Sequence, residues 1–216
     1  MSEFLPIILA LAGLALLPFV ALMVTSFAKF VIVLGLLRQA LGLQQVPPNM
    51  VINGIALVMT LYVMAPVMMQ AGDNLRERAR TGSSFQKIED VSLAYDAVAA
   101  PLREFLLKHS EERDRLFFVR SATKLWPAER AQQLREDDML VLVPGFTVSE
   151  LTAAFKIGFI LYLAFLLVDL IVANILLALG MSMVSPTIIA VPFKLLLFVA
   201  LDGWARLLQG LVLGYA

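Results

Sequence analysis

The sequence predicts an all-α protein in which two long, apolar, kinked helical hairpins flank a smaller charged helical insert. Hydrophobic residues make up 60% of the 216 residues, and the mean hydropathy is +0.86. A soluble chain of this size does not bury so many apolar side chains, so a membrane or a large apolar assembly must cover the excess. Charge is concentrated in residues 73–138, which hold 12 of the 17 basic and 13 of the 17 acidic residues.

Composition also excludes several classes of function. The balance of 17 basic against 17 acidic residues argues against binding to nucleic acid and against a polybasic lipid anchor. The chain has no cysteine and one histidine, His109, so neither thiolate chemistry nor a histidine-based metal centre is expected. We therefore predict no catalytic residues, no metal and no cofactor.

The first apolar hairpin is predicted to have arms over about residues 4–37 and 50–69. Each arm meets the roughly 20 residues that a helix needs to cross a hydrocarbon core. The turn is placed at residues 40–49, where Pro47 and Pro48 prevent the helix from continuing.

Both arms of this hairpin are predicted to be irregular. Pro18 should kink the first arm, because proline lacks the backbone donor and clashes with the preceding turn. Gly54 and Pro66 are expected to loosen the second arm. Helices of this kind are poorly suited to serve as simple lipid anchors.

The charged insert is predicted to be folded and helical. Ser83 and Gln86 have the spacing of a capping box, Ser110 is followed by two glutamates at a second helix start, and Pro127 suits the first turn of a third helix. Apolar residues recur at helical spacing and define one face: Val91, Tyr95, Val98, Leu102, Phe105 and Leu106. The charges are interpreted as a solvated surface, so the insert lies on an aqueous side of the membrane. It shares that side with both termini, and it is too long for the positive-inside rule to assign the compartment.

The second hairpin is predicted to begin at a capping box of Thr147 and Glu150, with a helix from about Val148 to Leu179. Gly180 and Pro186 bound the turn, and a return arm follows. The domain division is therefore an apolar hairpin over 1–72, a charged insert over 73–145 and a second apolar hairpin over 146–216. Polar residues interrupt the second hairpin, and they are expected to be buried or to contact other subunits: Glu150, Lys156, Asp169, Asn174, Lys194, Asp202 and Arg206.

Lys194 needs a partner, because a charge at the centre of a lipid-exposed helix costs about 2.5–3.5 kcal/mol. It lies roughly 16 Å from the turn at 1.5 Å per residue, which brings Asp169 and Asn174 of the other arm within reach. Glu150 is more than roughly 30 Å away in a straight hairpin, so it could serve only from a neighbouring subunit or through a folded-back helix. Pairing with Asp169 or Asn174, pairing with Glu150 of a neighbour, and contact with solvent remain alternatives. Charge reversal at Lys194 is expected to disrupt assembly.

The turn of the second hairpin holds Met181 and Met183 on either side of Ser182. The five residues from Gly180 approach a nucleophile elbow, but the last position is not glycine and no histidine occurs in either hairpin, so a catalytic serine is not expected. The methionines either fill gaps in a core or provide a deformable apolar surface. Asp202 and Arg206, four residues apart, could pair along one helix face or act between subunits.

Two long blocks resemble the type III export-gate family, which comprises FliP of flagella and SctR of virulence injectisomes. One block is PGFTVSELTAAFKIGFILYLAFLLVDLIVANILLALGMSMVSPTIIAVPFKLLLFVALDGW, and the other is TSFAKFVIVLGLLRQALGLQQVPPNMVINGIALVMTLYVMAPV. Together they cover about half of the chain, and the order of apolar and charged segments fits the remainder.

The resemblance implies a ring of five copies that joins SctS/FliQ-like and SctT/FliR-like subunits in a helical pore complex. Such a complex forms the entrance of the secretion channel at the bacterial inner membrane and passes unfolded polypeptide substrates. The insert would be periplasmic, and the hairpins would pack into the assembly largely above the membrane, although their hydropathy is that of membrane-spanning helices. In such relatives the second turn forms a methionine gasket, which favours the interpretation of Met181 and Met183 as a collar.

Two departures from flagellar relatives favour the injectisome branch. The chain begins Met-Ser-Glu without the basic region of a secretory signal, so its first apolar segment is interpreted as retained. Flagellar relatives tend to have three consecutive methionines where this chain has Ser182 between two.

A transporter or channel subunit and a membrane enzyme are the alternative function classes. A small multi-pass transporter or channel subunit would also have broken helices and intramembrane charges, but four arms leave little room for an alternating-access site. A membrane enzyme would need a nucleophile, a base or a metal set, which the sequence does not offer. Co-purification as a large ring with small helical partners would support the gate, whereas a monomer that takes up a small solute would support transport.

Overall fold

The computed structural model describes residues 11, 15, 18–80, 88–181 and 183–216, and the elements formed by these residues are all helices. The predicted all-α class is therefore confirmed for the described part of the chain. The helices, in chain order, are α1 (Phe27–Ala40), α2 (Asn49–Arg80), α3 (Ile88–His109), α4 (Glu112–Leu125), α5 (Ala128–Ala131), α6 (Met139–Ala178), α7 (Pro186–Ala200) and α8 (Gly203–Leu213).

The chain divides into two compact units. Unit 1 contains the described residues up to Ala28 together with Tyr62–Glu150, and unit 2 contains Lys29–Leu61 and Leu151–Ala216. Helices α2 and α6 each contribute residues to both units. The division into three segments stays a prediction, and its boundaries at residues 72 and 146 lie within these two helices.

Both predicted turns of the apolar regions lie where the sequence places them. Helix α1 ends at Ala40 and α2 begins at Asn49, so Pro47 and Pro48 lie in the connecting loop. The second turn follows α6, and Pro186 is the first residue of α7. Proline suits a first helical position because it has no N–H to leave unpaired.

Helix α2 is longer than predicted, since it continues past residue 69 as far as Arg80. The segment QAGDNLRERAR consists mostly of good helix formers. The increase in charged residues after residue 72 therefore does not end the helix. The Asn74 side-chain amide donates a hydrogen bond of 3.1 Å to the carbonyl of Ala97 in α3. Pro66 lies inside the helix without ending it.

The predicted start of the long helix near Val148 is wrong, because α6 begins at Met139. The proposed capping residue Thr147 is an interior residue, and its hydroxyl donates to the carbonyl of Val143, 2.8 Å away. The Pro144–Gly145 pair suggests a turn in the sequence, but fully buried neighbours, among them Phe146, fix this stretch as helix. Tertiary packing overrides the local turn signal here.

The outer arms of both hairpins are broken at places that the sequence did not indicate. Residues 18–23 are helical and are followed by a bend at 24–26 before α1 begins. Pro18 is itself helical, and most residues before it lie outside the described part, so its predicted kink stays a prediction. Helices α7 and α8 meet at an angle of 62° around Leu201 and Asp202.

The predicted helices of the insert are present. Helix α4 starts directly after Ser110 and Glu111, and α5 starts directly after Pro127. The capping box of Ser83 and Gln86 lies outside the described residues. The expected apolar face of α3 is confirmed in part: Phe105 and Leu106 are buried, whereas Tyr95 and Val98 are exposed and Ala97 is buried in their place.

Unit 1 has a core of apolar side chains from α3, α4, α5 and α6. Phe105 lies 5.7 Å from Phe146 between ring centroids, and Leu106 and Leu142 of the same unit are fully buried. Most charged side chains of the insert are exposed or half-buried. The insert within unit 1 therefore combines a buried apolar core with a largely charged surface.

Unit 2 has a small core and a large apolar exterior. Its core contains Leu37, Ala40, Leu41, Phe165 and Phe198. Only 17% of the most apolar window of α6 is buried, and 22% of that of α2. By length and composition, α2 and α6 are each able to cross a membrane, and the bent pair α7–α8 would make a third crossing if it counts as one span.

Candidate functional site

Lys194 is the centre of a buried polar contact in unit 2. Its side chain is only 4% exposed, and its ammonium donates to the Asp169 carboxylate at 2.6 Å and to the carbonyl of Ala40 at 3.0 Å. Ala40 is the last residue of α1, where helix carbonyls lack partners and favour a cation. One lysine therefore joins three helices, α1, α6 and α7.

Of the alternatives left open for Lys194, the structure contains the pairing with Asp169. Asn174 is exposed on α6, one and a half turns closer to the hairpin tip. Asp169 is 34% exposed, but its second carboxylate oxygen is buried without a hydrogen-bond partner among the described residues. The ion pair thus has one unused acceptor at the edge of the unit.

The turn after α6 is closed by a backbone motif. Met181 N–H donates to the carbonyl of Leu176 at 2.9 Å, and Gly180 N–H donates to that of Leu177 at 3.0 Å. This pair of bonds is the Schellman motif, which requires a left-handed residue, and Gly180 has φ +73°. Gly180 therefore stops the helix at a defined residue and directs the chain into the tip.

The two tip methionines differ in exposure within a single chain. Met183 is 99% exposed and Met181 is 44% exposed. Ser182 between them lies outside the described residues. Behind the tip, Val172, Leu176 and Ala190 pack α6 against α7. A firmly packed hairpin thus presents an apolar thioether at its end.

Arg38 fixes the other turn of unit 2, a contact that the sequence reading did not anticipate. Its guanidinium donates to the Pro47 carbonyl at 3.1 Å and to the Asn49 side-chain oxygen at 2.7 Å. Gly42, with φ +78°, ends α1, and a Cβ there would come within 2.8 Å of the Val191 side chain. The loop of Pro47 and Pro48 is therefore held by one arginine and by close packing of backbone against α7.

The remaining predicted polar residues occupy different surroundings. Glu150 is buried at 4% exposure, whereas Lys156, Asp202 and Arg206 are exposed. Asp202 occupies the N-cap position of α8 with φ 51°, and the Arg206 backbone N–H donates to its carbonyl at 3.1 Å. Asp202 and Arg206, four residues apart, are thus joined by a backbone hydrogen bond of the first turn of α8.

A second polar cluster, in unit 1, was also missed by the sequence reading. The Ser149 hydroxyl accepts a hydrogen bond from the Glu111 backbone N–H at 2.9 Å and lies 2.8 Å from the buried Asp114 carboxylate. Its single hydrogen serves either Asp114 or the Gly145 carbonyl at 2.9 Å. The sequence carries no signal for this cluster, because the pattern around Ser149 predicts only the start of a helix.

Unit 2 also carries an apolar groove between α6 and α7. Its volume is about 710 Å³, and every lining residue is apolar: Val168, Ile171, Val172, Ile175, Leu176, Leu179, Ile189, Phe193, Leu196, Leu197 and Ala200. Leaving such a surface in water is unfavourable at about 25 cal/mol per Å² of apolar area. Unit 2 thus combines an apolar exterior, an internal ion pair and an exposed methionine tip.

Comparison with known proteins assigns the family. Residues 10–211 match the family model described as the FliP family, so the chain belongs to the FliP family. It is 56% identical to "Pathogenicity-related ORF2" of Xanthomonas campestris pv. glycines, over 94% of this chain and 92% of that protein. It is 54% identical to "Hypersensitivity response secretion protein HrcR" of Ralstonia nicotianae, over 99% and 98%. It is 51% identical to "Yop proteins translocation protein R" of Yersinia pestis, over 97% and 95%.

These similarities place the chain in the injectisome branch of the family, as the sequence reading expected. The family and the names of these relatives indicate a translocation protein of type III secretion, and they do not name an enzymatic activity. Together with two helices able to cross a membrane, they indicate a protein of the bacterial inner membrane.

Proposed function

We propose that this chain is a core subunit of the type III export gate, and that several copies surround the entrance pore for unfolded polypeptides. The pore would be built from a ring of five copies with SctS/FliQ-like and SctT/FliR-like subunits. The tip of Met181 and Met183 would face the common axis. The observation that carries the proposal is the near-complete exposure of Met183 at the end of a rigid apolar hairpin.

A methionine collar suits a pore that must pass many different sequences. The thioether side chain is unbranched and polarisable, so it adapts to different shapes without selecting among them. An apolar constriction also excludes water and ions when nothing occupies it. The Schellman turn at Gly180 supports this role, because it holds the backbone while the side chains remain able to move.

Neighbouring subunits would cover the apolar exterior of unit 2. The groove between α6 and α7 accepts only apolar surface, and the exposed polar residues of α6 and of the start of α8 would form contacts between copies or with partner subunits. Those polar residues are Lys156, Asn174, Asp202 and Arg206. Buried Glu150 and the pair of Lys194 and Asp169 would hold each hairpin in the shape that the ring requires. The insert, residues 73–145, would face the periplasm.

The seal is tested by replacing both tip methionines with alanine. We expect small ions and dyes to enter cells that contain the assembled complex while secretion is idle, because the collar loses most of its apolar volume. The matched control is the double replacement of Met68 and Met69 by alanine, since these methionines of α2 are also exposed. An assembled tip variant that stays as tight as the parent would contradict the collar.

Stoichiometry needs a separate measurement. Single-particle imaging of the purified complex, alone and with its partner subunits, should resolve a ring with the hairpin tips on its axis. A solitary protomer that takes up a small solute would instead support the transporter alternative.

A further inference from the structure

One face of helix α4 in unit 1 carries a charge pattern that the gate function does not use. Arg113, Phe117, Arg120 and Lys124 follow one another at intervals of four, three and four residues, so they lie along one side of the helix. With Ser121 they line a groove of about 350 Å³. We call these five residues the α4 basic face.

The positive charge of this face is directed outward. Arg120 and Lys124 have no carboxylate partner among the residues that the structure describes, and both are exposed. Arg113 lies 3.4 Å from Glu111 and 3.4 Å from Asp114, yet its side chain remains 74% exposed. Acidic side chains do not line the groove. The face therefore offers two cations without a carboxylate partner in the described part of the chain, Arg120 and Lys124, to an anionic surface, beside the exposed but paired Arg113.

The same helix turns its other arginine inward. Arg115 is only 13% exposed at its side chain and donates to the Ser110 hydroxyl at 3.0 Å, with Glu136 at 3.9 Å. Arg115 thus stabilises the fold of unit 1, whereas Arg120 and Lys124 of the α4 basic face make no ion pair with the described residues. This contrast separates charges that support the fold from charges that are available to a partner.

An exposed aromatic ring lies among the outward cations. Phe117 is 62% exposed, and its ring packs edge-on against Phe118 at 5.2 Å. Leu125, at the end of the helix, is 78% exposed. A helix that combines lysine and arginine with exposed apolar residues has the chemistry of one that lies in a membrane interface.

We propose that the α4 basic face docks on the anionic headgroups of a lipid bilayer. The chain itself supplies the reason to prefer lipid over an acidic protein: it contains two helices able to cross a membrane, so a bilayer surface is present at high effective concentration. The cations of the face have flexible stems, which suit a fluid layer of headgroups better than a fixed protein surface. The proposal is independent of the number of copies in the ring.

The absence of cysteine from the chain allows a single-site probe. Ser121→Cys in the full chain would carry an environment-sensitive fluorophore, and the protein would be placed in nanodiscs of phosphatidylcholine with or without phosphatidylglycerol. We expect a blue shift, and quenching by a headgroup-located quencher, only in the discs with phosphatidylglycerol. High salt should remove both effects, because exposed charges are screened.

Two paired variants decide the interpretation. Arg120→Gln with Lys124→Gln should lower docking more than tenfold, since each cation near an anionic membrane contributes about fivefold. Lys108→Gln with Arg130→Gln removes two exposed cations outside the face and should leave docking unchanged. Equal loss in both pairs would overturn the proposal. So would a probe signal that is the same in neutral and anionic lipid, because contact with a protein partner would produce that result.

Discussion

The two units of this protein place buried charged groups in different surroundings. In unit 1, the buried Asp114 carboxylate lies 2.8 Å from the Ser149 hydroxyl, which also accepts the backbone N–H of Glu111. In unit 2, Lys194 and Asp169 pair inside a unit whose outer surface is apolar. Unit 1 carries most of the charged side chains on its surface, although Phe117 and Leu125 are exposed there too, whereas unit 2 buries an ion pair and exposes mostly apolar side chains.

This difference shows what each unit requires from its surroundings. Unit 1 buries a core of its own and carries the charged insert, whose surface suits water. Unit 2 leaves most apolar side chains of α6 uncovered, so it needs lipid or other protein around it. The ion pair of unit 2 is internal, so it does not make the surface of the unit more soluble in water. It joins three helices at fixed positions.

The largest effect is expected on removing the cation of unit 2. Lys194→Met leaves the Asp169 carboxylate and the last carbonyl of α1 without their donor. The free energy of unfolding should fall by about 3 kcal/mol, the lower end for one member of a buried pair, because Asp169 is a third exposed. Thermal unfolding in mild detergent measures the change, with Lys108→Met at an exposed site as control.

Two further variants sharpen this test. Lys194→Glu places two carboxylates together, so we expect no assembled complex to be recovered. Lys194→Met with Asp169→Leu removes both charges and should regain most of the lost stability, since apolar replacement of a buried pair is often neutral. A double variant as unstable as Lys194→Met alone would argue against the pairing.

A smaller effect is expected in the polar cluster of unit 1. Ser149→Ala should lower the free energy of unfolding by about 1–2 kcal/mol, because Asp114 and the Glu111 N–H lose a partner. Thr147→Val is the control, since the Thr147 hydroxyl makes one local bond within α6. Equal melting temperatures for the two variants would show that the cluster does not stabilise unit 1.

The smallest effect is expected at the tip of unit 2. Gly180→Ala should cost about 1 kcal/mol, because the left-handed conformation disfavours a Cβ while the space around it is open. Gly42→Ala should cost more, since its Cβ also collides with Val191. The two melting temperatures compare the turns directly, and a larger loss at Gly180 would contradict this ranking.

The sequence predicted the features of this fold that depend on local chemistry. Residues that cannot continue a helix predicted the loop of Pro47 and Pro48 and the turn between Gly180 and Pro186. Residues that readily begin a helix predicted the helix starts after Ser110 and Pro127. The reach of Lys194 to Asp169 followed from the helical rise.

Features that depend on packing were not predictable in this way. The start of α6 at Met139 is set by buried residues such as Val141 and Phe146, which outweigh the turn signal of Pro144. The carbonyl of Ala40 as a partner of Lys194 required knowledge of where α1 ends in space. The cluster around Ser149 joins residues from two helices that the sequence pattern does not connect.

Cross-linking at the tip tests the central claim most directly. Met183→Cys introduces the only cysteine of the chain, and mild oxidation in native membranes should join copies of the protein if their tips meet on a common axis. We expect covalent dimers for this variant and a background level for Met69→Cys, a control in exposed α2. A monomer for Met183→Cys in an assembled complex, together with labelling of that thiol by a lipid-dissolved reagent, would contradict the account.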